Sequence, residues 1–324
     1  MECFDVVFFD LRPLFRLTDL THRLPCNRDV WRSRSAKGWS EQSHKRGSQS
    51  ATRASRSFSI RSNILNLYVD ERAILDHMQS SRRLRSLMSI EPGQGPHEQD
   101  TYSARQKLLS FGASKEDITF LDDMIDEAIA STSSPHPDTE CGTADPIAHI
   151  IAILREIPLR MIHASVGWQA NGAEMQRYKE NLRDYLHRNR CTARTCLWHA
   201  AQIYSSLRNP RWPAYHSSLS FTIAVSYILL YNQVVPCSSP QGDILRLDKL
   251  EEKPRIDAWI RCDVDSPIHI KGVGILGNAE SSRRLLVDAE KALLSQKSWR
   301  NLAQHLAHCF QQLSRGERPR ATGD

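Results

Sequence analysis

The chain has 324 residues, 40% of them hydrophobic and 25% charged, enough apolar material for one large helical domain or two smaller ones. Its formal net charge of +6 permits contact with nucleic acid without requiring it. The eight cysteines (Cys3, Cys26, Cys141, Cys191, Cys196, Cys237, Cys262 and Cys309) contain no C-x-x-C pair, and Glu2 and Asp5 stand where a secretory signal needs positive charge. Zinc ribbons, zinc fingers and thioredoxin-type sites are therefore disfavoured, and reduced thiols in the cytosol or nucleus are expected.

Residues 1–31 mix short apolar runs with Pro13 and Pro25. Between Arg32 and Arg61 come eight Lys or Arg, nine serines and one acid, Glu41. So few large apolar side chains cannot offset the entropy of ordering, so a basic, disordered loop is expected over 32–62. From Asn63 the reading is mostly helical: Ile64, Leu67, Tyr68, Ile74, Leu75 and Met78 repeat at helical spacing, up to the breaker Pro92–Pro96. A short helix follows over Tyr102–Phe111. An acidic one then carries Ile118, Leu121, Ile125 and Ile129 on one face, behind a capping-box-like Ser114-Lys115-Glu116-Asp117. Its acids read as a solvated face, with an activation segment as the sharper alternative.

Asp145-Pro146 marks a helix start, and Ile147, Ile150, Ile151, Leu154 and Met161 form its core stripe. Pro158 divides or kinks that helix because it has no N–H to give Leu154, and Gly167-Trp168 ends it. Ala173–Arg188 reads as a charged amphipathic helix. In Arg194–Arg208 the residues Leu197, Ala200, Ala201, Tyr204 and Leu207 make one apolar face, while His199, Gln202 and Ser206 form a polar stripe that could line a groove. Leu219–Val235 lies in a stretch without charge, but its Ser, Thr, Asn and Gln interrupt it, so it reads as a buried core helix and not a membrane span. Helices over Ser281–Gln296 and Trp299–Leu313 close the array before a polar tail, 316–324. The fold class is all-α, an irregular multi-helix array.

Three stretches occur in an order that resembles the fungal-specific transcription factor domain, the helical regulatory region found downstream of zinc clusters or zinc fingers. The first is Arg12-Pro13-Leu14-Phe15 with Leu24-Pro25-Cys26, Trp31 and Trp39; the second is Arg194–Arg208; the third is Asp265–Gly272 with Ser298–Leu302 and Ala307–Phe310. The resemblance implies a non-catalytic regulatory domain over 63–315, with 1–31 as its truncated N-terminal part. It also implies a nuclear protein working in transcription regulation, with co-regulators and a second copy as partners and no membrane. DNA binding and zinc would belong to an upstream segment that this chain lacks. The alternatives are a truncated remnant without independent activity and a small-molecule enzyme.

The enzyme alternative rests on Gly272-Val273-Gly274-Ile275-Leu276-Gly277, a G-x-G-x-x-G between the strand-like Ile268–Ile270 and a helix. That is the local order of a dinucleotide-binding turn, but no βαβ unit with a second, acid-ended strand follows. His305, His308 and Cys309 share a helix face at ligand spacing, and Cys191, Cys196 and His199 form a looser group. Asp263 and Asp265 with His269 read as a turn before Pro267. None of these constellations carries an assignment: no catalytic, cofactor-binding or metal-ligating residue is expected in this chain.

Overall fold

The computed structural model describes Asp123 and residues 146–168, 170–208, 217–234, 242–262, 265–296 and 300–317. Apart from Asp123, these all belong to one compact unit. The expectations for residues 1–122 and 124–145, including the basic loop, the LPC turn with its two tryptophans, and most of the acidic helix, lie outside the described residues. Among the described residues 75% are helical, in eight helices, and the strands are only two or three residues long, so this part of the chain is mostly α.

Helix α1 spans Pro146–Glu156 and α2 Leu159–Ser165. Pro158 separates them as expected: it is the N-cap residue of α2, and the last α1-type bond is Ile157 N–H to Ile153 O at 2.9 Å. Gly167 takes φ +89°, which lets Trp168 N–H return to His163 O at 2.9 Å and close off α2. Helix α3, Gly172–Arg188, starts on a capping box between Asn171 and Glu174, with both side-chain bonds at 2.9 Å. Asn189 alone separates it from α4, Arg190–Leu207, which begins four residues before the Arg194 expected from periodicity.

Helices α4 and α5 form the centre. α5 spans Ser217–Val234 and is buried from Ser217 to Asn232 on every face, which explains its largely apolar and uncharged sequence. Phe221 stacks on Tyr204 of α4 at 5.5 Å between ring centroids, and Tyr227 donates its hydroxyl to Ala193 O at 2.9 Å. Burying such an aromatic ring contributes about 3–5 kcal/mol, judged by the cost of its truncation. Among the described residues no helix is long and apolar enough to cross a membrane.

A small sheet sits beside this centre. β1 is Leu245–Arg246, β2 Ile268–Ile270 and β3 Gly274–Ile275, in the order β1-β2-β3. β1 and β2 are parallel, with Leu245 opposite Ile268; β2 and β3 are antiparallel, with His269 opposite Ile275. Parallel neighbours need a crossover. A 3₁₀ turn, Leu250–Glu252, and helix α6, Lys253–Ile260, supply it, with Ile256 and Trp259 turned inward. Helix α7, Ala279–Ser295, starts on Asn278, whose side chain accepts Ser281 N–H at 2.7 Å. Helix α8, Arg300–Ser314, packs on α7 through Ala303, Leu306, Ala307 and Phe310.

Candidate functional site

The first turns of α4 bring Arg190 and Arg194 to one edge of the body, and a cavity of about 370 Å³ opens there. That volume lies in the range of small-ligand sites. Arg194 is only 5% exposed. Its guanidinium lies 4.9 Å over the Trp259 ring, donates to Trp259 O at 2.5 Å, and pairs with Asp265. The guanidinium also acts on the Tyr231 hydroxyl beside it. A buried guanidinium is tolerable only with its donors and charge satisfied in this way. Arg190 stands at the rim and reaches the same carboxylate at 3.2 and 3.4 Å.

These contacts set the proton affinities. The hydrogen bond from Arg194, with the charges of both arginines, holds Asp265 below its usual carboxylate range. Burial pushes the Tyr231 hydroxyl up to about 12, with Arg194 acting in the opposite direction. Two arginines against one carboxylate leave the mouth with net positive charge. Tyr231, Trp259, Ile268 and Leu276 supply apolar wall. The arrangement suits a small molecule with an acidic end and an apolar body.

Further along α4 the polar groups are sealed. His199 meets His149 of α1 Nδ1 to Nδ1 at 2.7 Å, so one ring donates and the other accepts. Trp198 packs edge-on to His149 at 5.5 Å, and the Lys253 ammonium lies 4.4 Å over the indole. Burial lowers His149 to about 4; burial, then His149 and Lys253, lower His199 well below the ordinary value. Both rings are therefore neutral at pH 7. The His149 Nε2 and Trp198 Nε1 atoms are buried without a hydrogen-bond partner.

The polar stripe expected to line a groove is thus spent on packing. Besides His199, Gln202 donates to Leu247 O at 2.6 Å, next to β1, and Ser206 donates to Ile203 O of its own helix at 3.0 Å. The helical period distinguishes faces of one helix but carries no information about what α1 and the sheet place against each face.

The glycine-rich turn is a β-hairpin. Gly272, Gly274 and Gly277 have φ of +90°, +98° and +99°, and the chain reverses into antiparallel β3 between the strand and α7. A Cβ on Gly272 would stand 2.5 Å from the Arg208 guanidinium, which is held by Asp288 at 2.5 and 2.6 Å. Gly277 N–H donates to the Asn232 side chain, and Asn278 caps α7, so donors at this end of the helix already have protein partners. His305 and His308 are exposed on α8, with Cys309 half-buried beside them. Among the described residues no three metal-ligating side chains converge. Cys191 and Cys196 point to different surroundings, one exposed and one buried. Asp263 lies outside the described residues, and Asp265 pairs with the arginines of α4.

Three pairings escape sequence reading: Arg194 with Asp265, His149 with His199, and Cys191 with Cys262, whose sulfurs lie 3.0 Å apart across 71 positions. No family model, curated protein or solved structure matches this chain.

Proposed function

We propose that this chain is a non-catalytic regulatory domain of a fungal transcription factor, and that the cavity at the start of α4 is its effector site. The family part rests on the order of the LPC-and-tryptophan start, the Arg194–Arg208 helix and the Trp299 segment, together with a mostly helical body. The effector part rests on one observation: a buried, aromatic-backed Arg194 facing a cavity of about 370 Å³. An effector with an acidic end would meet Arg190 and Arg194, and its body would lie on Tyr231 and Trp259. In this reading DNA contact, zinc and nuclear address belong to a zinc-finger or zinc-cluster segment upstream, with co-regulators or a second copy as further partners.

Two measurements on the whole chain test it. Fused to an unrelated DNA-binding domain, the chain should change transcription of a reporter carrying that domain's site, and unfused it should show no base-dependent DNA binding in a mobility-shift assay at physiological salt. Tight base-dependent binding by the unfused chain, or an inert fusion, sinks the reading. In thermal melts, a panel of small carboxylic and phosphoric acids should contain members that raise Tm, because a ligand of the folded state alone must stabilise it. A Tm rise confined to NAD, NADP or ATP and lost in Gly272→Ala would favour an enzyme instead.

A further inference from the structure

Cys191 lies in the first turn of α4 and is exposed; Cys262 lies just past the end of α6 and is half-buried. Their sulfurs are 3.0 Å apart, closer than two unbonded sulfurs sit comfortably, and about 1 Å from disulfide bonding distance. Cys262 has φ +64° and, among the described residues, is the one non-glycine in the left-handed region. Helices commonly end on such a residue, and glycine is the usual choice because a side chain is strained there. Here a cysteine occupies it. Its N–H returns to Trp259 O at 3.0 Å, and the same conformation carries its sulfur to Cys191.

We propose that Cys191 and Cys262 are a thiol-modification site, which a small-molecule disulfide such as oxidised glutathione closes reversibly into a protein disulfide. Cys191, the exposed thiol, gives its proton to solvent, and its sulfur bonds to one sulfur of the oxidant while the other leaves as a thiolate. Cys262 then loses its proton and bonds to the Cys191 sulfur, expelling the second oxidant thiolate. Two protein thiols are oxidised and one small disulfide is reduced to two thiols. Partial burial and the thiol contact with Cys191 raise the Cys262 pKa, while Arg194 and Arg190 oppose that rise; this suits the resolving role. The bridge would tie α4 to α6, the elements that carry Arg194 and Trp259, and so fix that side of the cavity. Cys196 is buried within α4 and Cys309 half-buried on α8, which makes them internal controls.

The test uses the full chain in glutathione redox buffer, with free thiols alkylated and peptides mapped by mass spectrometry. The expected product is one cross-linked pair of peptides carrying Cys191 and Cys262, lighter by about 2 Da than the two thiols. Its Tm should exceed that of the reduced chain, since the bridge restricts the unfolded state, and dithiothreitol should reverse both changes. In Cys262→Ser the reaction should stop at a glutathione adduct on Cys191 without the Tm rise. Cys262→Gly, which suits the left-handed backbone, should behave the same way and keeps the test decisive where the serine variant misfolds. The proposal is overturned if the oxidised chain carries separate adducts on the two cysteines, leaves them open to alkylation, or joins Cys191 to a different cysteine.

Discussion

Helix α4 carries two polar clusters, and they have opposite electrical characters. At its start Arg190 and Arg194 keep their charge and share the half-exposed Asp265. Two turns on, His149 and His199 lie in the core and are neutral. Arginine cannot shed its proton at any ordinary pH, so burying Arg194 demanded a carboxylate, a carbonyl and a ring. Histidine can, so burial was met by losing charge. The first solution leaves a charged mouth that suits recognition; the second holds two helices together and has no charge to offer at neutral pH.

The contrast is sharpest in acid. A histidine with a folded pKa below its unfolded value takes up its proton first in the unfolded chain. Stability is therefore intact above pH 6.5 and declines from there to about pH 4, below which both states are protonated and His149 contributes no further loss. For His149 that amounts to about 3 kcal/mol, and His199 acts in the same direction. Asp265 acts with the same sign in a lower window: its stabilisation is complete above the ordinary carboxylate value of 3.8 and is lost below it. Urea unfolding across pH 7 to 4 should thus show a fall that His149→Leu/His199→Leu reduces and Asp265→Asn leaves in place, the remainder belonging to His163, which burial and Arg160 also lower to about 4. A wild-type stability that stays level until pH 4 would break the account of the neutral pair.

Next in size is Arg194→Met, which removes the hydrogen bonds to Asp265 and to the Trp259 carbonyl and the ring contact with Trp259, and should cost about 2–3 kcal/mol in chemical denaturation. The single changes His149→Leu and His199→Leu should cost about 1–3 kcal/mol each by leaving one Nδ1 alone. The double variant should lose less than their sum, by about 1 kcal/mol of coupling; strict additivity would show that the 2.7 Å contact contributes nothing. The smallest effect belongs to Arg190→Ala. Its side chain is 57% exposed, so stability should move by less than about 0.5 kcal/mol, while any acid-dependent Tm rise should shrink. A large destabilisation would make the rim a structural element and not a binding one.

Much of the helical array is legible in the residues themselves. Pro158, Gly167, the stripe from Ile147 to Leu154 and the faces of α7 and α8 state their local structure by steric rule and period. What cannot be read are pairings between distant positions. His149 and His199 are 50 residues apart, Arg194 and Asp265 are 71 apart, and no spacing announces either. The period also understates α4: alongside Leu197 and Tyr204, Trp198 and Ile203 are buried as well, because α1 and α5 both lie against it. Residues 243–262 carry too few repeats to reveal β1 or α6. The glycines of the hairpin are visible as a motif, but whether they serve a phosphate or a passing arginine depends on where Arg208 lies.

The enclosure of α5 bears on how the body comes apart. A helix covered on every side cannot detach alone, since its amides meet water only after α4, α7 or α2 has moved away. Its backbone should exchange hydrogen with solvent at the rate of global opening, while the outer turns of α3 and α8 exchange through local fraying. In deuterium-exchange kinetics α5 would then mark the last folded remnant, and through Tyr231 it would hold one wall of the pocket to the end.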